Sequence, residues 1–137
     1  MEKRTKKEVL DSEKLPKAVG PYSLGIKAGH FLFISGQLGL DPNTNQIIGG
    51  GIAAQTNQAL ENLKILLTDN GFELSDVVKT TVFLKDMNDF SALNEVYAKY
   101  FNQDSPARST IQVAALPKDG LVEIDAIAID KKCECDK

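Results

Sequence analysis

Residues 121–129 read Leu-Val-Glu-Ile-Asp-Ala-Ile-Ala-Ile, and this run decides the fold. Side chains of a strand alternate between its two faces. One face therefore carries Val122, Ile124, Ala126 and Ala128. The other face carries Leu121, Ile127 and Ile129, together with Glu123. Because a strand that is apolar on both faces is normally covered on both, this run predicts a strand inside a layered fold.

The rest of the chain supplies the layers around this strand. The segment 52–70 has apolar residues at the three-four spacing of a helix and ends at Asn70-Gly71. The predicted strands are 31–35, 77–85, 108–114 and 121–129, and the predicted helices are 52–70 and 88–101. This order predicts an α+β fold (a mixed α/β sandwich), with one sheet of about six strands covered on one face by two helices. Since no third layer is available, a second copy of the chain is predicted to cover the other face.

The length of 137 residues predicts one domain over 1–137, with a core of about 16–130 and flexible termini at 1–12 and 131–137. The composition, 42% hydrophobic and 26% charged, is typical of a globular protein. No apolar run reaches the roughly 18 to 20 residues that span a bilayer, and no secretory signal precedes the core. We expect a cytoplasmic protein.

Charge, cysteine and histidine usage exclude several classes of function. Sixteen Lys and Arg against nineteen Asp and Glu give a net charge of −3, which disfavours nucleic-acid binding. Cys133 and Cys135 lie too close together to staple a core, and a closed zinc site needs about four ligands. His30 is the one histidine, so one chain has neither a histidine-based triad nor a two-histidine metal site. We expect no metal.

Arg108 and Glu123 are the candidate functional residues of the last two strands. Alternation separates Ser109, Ile111 and Val113 from Arg108, Thr110 and Gln112. We expect Ile111 to lie under the helices, which would place Arg108 on the subunit-facing side with Glu123. Two interpretations stay open. One is an ion pair that stabilises adjacent strands or the oligomer; the other is a guanidinium fork that awaits a substrate carboxylate.

Five blocks in the chain resemble the RidA (YjgF) family in that family's order. They are Gly20-Pro21-Tyr22-Ser23, Ser35-Gly36-Gln37, the run 78–84, Pro106-Ala107-Arg108-Ser109-Thr110, and Leu116-Pro117 followed by Val122-Glu123-Ile124. The resemblance covers about residues 16–130. It implies a fold similar to the trimeric bacterial chorismate mutase, and a homotrimer with active sites between subunits.

The resemblance also implies an enzyme, a hydrolase that acts on C=N bonds. Family members convert reactive 2-imino acids and enamines, such as 2-iminobutanoate and 2-iminopropanoate, to 2-keto acids and ammonia without a cofactor. Carried over by motif, Arg108 holds the substrate carboxylate and Glu123 activates water. The implied substrate-binding residues are Tyr22, Ser35, Gly36, Asn94, Arg108 and Thr110. Many relatives have Cys at the position of Thr110, so a nucleophilic thiol is excluded there and hydrolysis by activated water is expected.

Two other functions remain open at this point. A non-catalytic regulatory trimer that binds small carboxylates would use Arg108 without needing Glu123. An endoribonuclease or translation inhibitor, a label that some relatives carry, is disfavoured by the acidic charge balance and the absence of Trp.

Overall fold

Two helices lie on one face of a single six-stranded sheet, as predicted. The computed structural model describes residues 6–131. The elements in chain order are β1 (Lys7–Leu10), β2 (Gly25–Ala28), β3 (Phe31–Leu38), α1 (Gly51–Asp69), β4 (Val77–Leu84), α2 (Phe90–Tyr100), β5 (Ala107–Gln112) and β6 (Val122–Ile129). The strand order is β1-β2-β3-β6-β4-β5. β4 and β5 pair in parallel, and the other neighbours are antiparallel.

The core lies between the helices and the face of β6 opposite to Glu123. The buried residues of this layer on β6 are Val122, Ile124, Ala126 and Ala128. α1 packs its leucine stripe against them, with Leu60, Leu63, Leu66 and Leu67 at 0% exposure. Each fully buried leucine contributes about 1.5–3 kcal/mol of hydrophobic free energy. This packing, rather than helix propensity, holds the two layers together.

The other face of the sheet, which we call the open face, carries large apolar side chains that its own chain leaves exposed. The exposed fraction is 45% for Phe33, 46% for Ile111 and 38% for Ile129. Phe33 and Ile127 are cross-strand partners on this face. Exposed apolar surface of this extent is typical of a protein–protein interface.

The amino-terminal region differs from the prediction. Residues 1–12 were expected to be flexible, which is wrong for Lys7–Leu10: this segment forms β1 and pairs with β2. β1 has charged and largely exposed residues, so its sequence has no amphipathic signal; the pairing alone makes it a strand. Cys133 and Cys135 lie outside the described residues.

Within residues 6–131, neither helix has the length and hydropathy that a membrane span requires.

Candidate active site

β5 presents Arg108 and Thr110 to the helix layer, so the predicted assignment of its faces is wrong. The Cα partner of Arg108 is Thr80 and that of Thr110 is Val82, and both partners are completely buried under the helices. Ile111, which was expected under the helices, lies on the open face. Alternation fixes which residues share a side of a strand. The pairing with β4 decides which side meets the helices.

The guanidinium of Arg108 lies against two aromatic rings of α2. Its central carbon is 4.7 Å from the ring centroid of Tyr97 and 5.6 Å from that of Phe90, within the range of a cation–π contact. No ion pair or side-chain hydrogen bond of Arg108 is present among residues 6–131. The group is therefore held in place by rings, with its N–H donors available to an anion.

Asn94 and Thr110 belong to the same two elements, α2 and β5, that bring the rings and this guanidinium together. Asn94 follows Phe90 by four residues and precedes Tyr97 by three, so helical spacing puts all three on one stripe of α2. Thr110 stands two residues after Arg108 on the same face of β5. Its hydroxyl oxygen is buried and has no hydrogen-bond partner among the described residues. A buried unpaired hydroxyl costs about 1–3 kcal/mol, which makes it a candidate contact for a ligand.

Glu123 occupies a different place, on the open face of β6. Its carboxylate lies directly against β3 at Gly36, where a Cβ would stand 2.6 Å from the carboxyl carbon. A register shift between Ile34 and Gln37 brings this glycine to that position. Burial raises the pKa of Glu123, and the nearby charge of Asp125 raises it further. This carboxyl group is thus a better proton acceptor than an exposed glutamate.

Tyr22 and Ser35 lie beside Gly36 of β3. Tyr22 and Gly36 line one small cavity, and the Tyr22 hydroxyl accepts a hydrogen bond from the Val19 N–H at 3.2 Å. The Ser35 hydroxyl donates to the Ser23 carbonyl at 2.6 Å. The Ser35 hydroxyl is therefore hydrogen-bonded within its own chain. Tyr22 is 47% exposed, so its ring is accessible to a ligand.

These residues form two clusters that one chain does not bring together. The arginine cluster consists of Arg108, Thr110, Asn94, Tyr97 and Phe90, and the glutamate cluster consists of Glu123, Gly36, Ser35 and Tyr22. β4 separates the two carrier strands, and Glu123 lies level with Phe83, three residues along from Thr80. Arg108 and Glu123 are thus about 10 Å apart across the sheet and about 10 Å along it, on opposite faces. The ion pair between them that the sequence left open does not exist within the chain.

Sequence reasoning missed the partners that shape both clusters. The sequence pattern places Phe90 and Tyr97 within the predicted helix 88–101 without a functional role, and it gives no role to Thr80 or Asp125. The four-three spacing of Phe90, Asn94 and Tyr97 is a sequence signal that places a polar residue between two rings. Their contact with Arg108 depends on how α2 sits over β5, which spacing does not contain. Among the described residues, no three His, Cys, Asp or Glu side chains cluster as metal ligands do.

The fold and the two clusters define a class: a small α+β protein with an unpaired, ring-backed arginine on one sheet face and a carboxylate of raised pKa on the other. Comparison with known proteins narrows this class. The family described as Endoribonuclease L-PSP matches residues 12–130. A RutC family protein of Pyrococcus horikoshii is 57% identical over 122 residues, 89% of this chain and 97% of that protein.

The human 2-iminobutanoate/2-iminopropanoate deaminase is 46% identical over 123 residues, which cover 90% of each chain. The crystal structure of RidA from the Antarctic bacterium Psychrobacter sp. PAMC 21119 matches with a TM-score of 0.86 at 45% identity, covering 89% of this chain and 98% of that one. The chain belongs to the RidA (YjgF) family, and the resemblance drawn from the sequence is confirmed.

Proposed function

We propose that this protein hydrolyses reactive 2-imino acids, such as 2-iminobutanoate and 2-iminopropanoate, to 2-keto acids and ammonia. The observation that carries the proposal is the guanidinium of Arg108, which is backed by two rings and lacks an anionic partner within the described chain. The name of the human relative supports the same reaction for this chain.

Arg108 would hold the substrate by its carboxylate. A planar guanidinium offers two parallel N–H donors to that group, and such a charge-assisted contact contributes about 1.5–3 kcal/mol. The Thr110 hydroxyl, on the same face of β5, and the Asn94 amide, on the same helical stripe as Phe90 and Tyr97, would take further polar contacts of the substrate. Fixing the carboxylate also fixes the adjacent imine carbon, which is where water must add.

Glu123 would activate that water. Its carboxylate takes a proton as the water oxygen bonds to the imine carbon, and the C=N electron pair becomes an N–H bond with a proton from solvent. The protonated Glu123 then returns its proton to the amine, which leaves as ammonia while the hydroxyl group releases its proton to solvent and the C=O forms. General base catalysis of this kind accelerates a reaction by about 10²–10⁴-fold. The imine is already electrophilic, so the chemistry needs no metal or organic cofactor.

The complete site would combine two copies of the chain. Arg108 and Glu123 face opposite sides of one sheet, so the arginine cluster of one copy must meet the glutamate cluster of another. The exposed Phe33, Ile111 and Ile129 of the open face favour such an assembly. We propose a homotrimer with its active sites between subunits, in line with the family resemblance.

A coupled assay tests the proposal. A threonine dehydratase generates 2-iminobutanoate in amine-free buffer, and decay of the imine is followed with the wild type and with Arg108→Ala, Glu123→Gln and Lys99→Ala. Lys99 is an exposed cation of α2 and serves as the charge-matched control. We expect imine decay with Lys99→Ala at the wild-type rate. With Arg108→Ala or Glu123→Gln, we expect decay close to the rate without protein.

Calorimetric titration with the product 2-oxobutanoate separates catalysis from binding. Glu123→Gln should bind the product about as well as the wild type, and Arg108→Ala should not bind it. If the wild type binds 2-oxobutanoate through Arg108 but leaves imine decay unchanged, the proposed enzymatic activity is overturned. That result would favour the regulatory trimer that only binds small carboxylates. RNA cleavage that survives Arg108→Ala after rigorous removal of nucleases would favour the endoribonuclease instead.

A further inference from the structure

Arg108, Tyr97 and Thr80 each contact the other two residues. Thr80 is the Cα partner of Arg108 in the β4–β5 ladder, which fixes the backbone of the arginine. The Tyr97 ring lies 4.7 Å from the guanidinium carbon. The hydroxyls of Thr80 and Tyr97 are 2.7 Å apart and hydrogen-bonded. Each of these three residues is therefore held by the other two.

The surroundings of Tyr97 suit a fixed support. Tyr97 is 6% exposed, Thr80 is fully buried, and the Tyr97 ring packs on Phe101 with their centroids 4.8 Å apart. Burial raises the pKa of Tyr97, and the Thr80 hydrogen bond and the Arg108 charge oppose that rise. The phenol therefore stays neutral and hydrogen-bonded at ordinary pH. Tyr100, on the same helix, instead bonds Asn57 and Glu61 of α1.

We infer that Tyr97, tethered by Thr80, is a positioning residue that holds the guanidinium of Arg108 in its carboxylate-binding orientation before substrate arrives. This inference rests on the proposed function. A free arginine side chain loses its rotamer freedom when it binds, and an arginine already fixed on a ring does not. The contact between the Arg108 guanidinium and the Tyr97 ring thus raises affinity for the substrate carboxylate equally in the ground state and the transition state. Its loss raises KM and leaves kcat nearly unchanged.

Two substitutions at Tyr97 separate the ring from the hydroxyl. Tyr97→Leu removes both, and we expect KM for 2-iminobutanoate to rise about tenfold with kcat within about threefold of wild type. Tyr97→Phe keeps the ring and should restore most of the affinity. Thr80→Val keeps the ring and removes its tether, and we expect a rise in KM of about threefold. Tyr100→Leu is the control, because it removes an equal volume from α2 without touching Arg108.

An NMR measurement reports the contact without turnover. The guanidinium carbon of Arg108 lies over the Tyr97 ring, 4.7 Å from its centroid, so we expect ring shielding to move the neighbouring Hε resonance upfield of the free-arginine position in the wild type and in Tyr97→Phe. It should move downfield in Tyr97→Leu and stay in place in Tyr100→Leu. These shifts do not depend on whether the protein hydrolyses an imine.

The outcomes are distinct. An equal rise in KM for Tyr97→Leu and Tyr100→Leu overturns the inference, since it reveals a merely structural role. An unmoved Hε resonance in Tyr97→Leu overturns it also. If Tyr97→Leu does not fold, the other two variants decide. A wild-type KM in both Tyr97→Phe and Thr80→Val overturns the inference that the Thr80–Tyr97 hydrogen bond helps to position Arg108. A wild type that shows the shielded resonance, yet neither hydrolyses the imine nor binds 2-oxobutanoate, overturns the proposed function and leaves the contact standing.

Discussion

Two threonines of neighbouring strands bury their hydroxyls in opposite circumstances. The Thr80 hydroxyl pairs with that of Tyr97, whereas the Thr110 hydroxyl has no partner among the described residues. An unpaired buried hydroxyl lowers the stability of a fold. Such a loss is common at sites where a bound ligand supplies the missing hydrogen bond. At the scale of single residues, Thr110 therefore points to ligand binding and Thr80 to structure.

The two threonines predict opposite results for the same substitution. Thr110→Val removes an unpaired hydroxyl, so its free energy of unfolding should equal or exceed that of the wild type, while kcat/KM falls about threefold to tenfold. Thr80→Val leaves the Tyr97 hydroxyl unpaired and should lose about 1–3 kcal/mol. Urea denaturation followed by circular dichroism measures both. Equal losses of stability in the two variants would contradict this prediction.

Burial and, second to it, the charge of Asp125 raise the pKa of the proposed base, Glu123. Glu123 accepts a proton only when ionised, so kcat falls as the pH drops through the pKa of Glu123. Because the charge of Asp125 helps to raise that pKa, Asp125→Asn should move the acid limb of the pH–rate profile to lower pH. Glu95→Gln removes an exposed charge from α2 and serves as the control. An acid limb at the wild-type position in Asp125→Asn would exclude Asp125 from this role.

At the scale of secondary-structure elements, the irregular stretch of β3 links the fold to the chemistry. The register shift between Ile34 and Gln37 lets two small residues, Ser35 and Gly36, occupy the space beside β6. Gly36 leaves room for the Glu123 carboxylate, and the Ser35 hydroxyl ties the strand to Ser23. A regular strand with an ordinary side chain here would fill the place that the carboxylate takes.

Alanine at two glycines distinguishes a functional contact from a structural one. At Gly36 a Cβ meets the Glu123 side chain, 2.6 Å from its carboxyl carbon. That side chain can move, so Gly36→Ala should retain its stability while kcat falls about a hundredfold. At Gly39 a Cβ meets the backbone carbonyl oxygen of Gln55 at 2.7 Å. Helix backbone yields less readily, so Gly39→Ala should lower the free energy of unfolding by about 1–3 kcal/mol.

Initial rates measure kcat of the two glycine variants, and urea denaturation midpoints measure their stability. Wild-type kcat in Gly36→Ala would show that the position of the Glu123 carboxylate is unimportant.

For the whole molecule, the separation of the two clusters on opposite sheet faces sets the symmetry that a shared site requires. Each copy would give its arginine cluster to one neighbour and its glutamate cluster to another. In the proposed homotrimer this head-to-tail arrangement would close into a ring of three. Such a site would exist only in the assembly, so the proposed trimer predicts that activity depends on the oligomeric state.

Mixing two inactive variants tests the shared site. Arg108→Ala chains retain Glu123, and Glu123→Gln chains retain Arg108. When the two are unfolded together at equal concentration and refolded, about one quarter of the sites should combine the two intact residues and recover about one quarter of wild-type activity. The same variants refolded separately and then mixed are the control. An inactive co-refolded sample would show that one chain supplies both residues.

Much of the fold is predictable from the sequence because its signals are local. The leucine spacing of α1 and the alternation of β6 each follow from contacts that recur every few residues. β1 is the exception: Lys7–Leu10 has no periodic apolar pattern, and only its pairing with β2 makes it a strand.

The sequence by itself determined the two-layer arrangement, the buried face of β6 and, through five motifs in register, the RidA family. Only the tertiary structure decided that Arg108 faces the helices, on the side of the sheet opposite to Glu123. The physical reason is that alternation fixes which side chains share a face and nothing more. The choice of face depends on the pairing of Arg108 with Thr80 and on where α2 lies, and both bring together residues far apart in the chain.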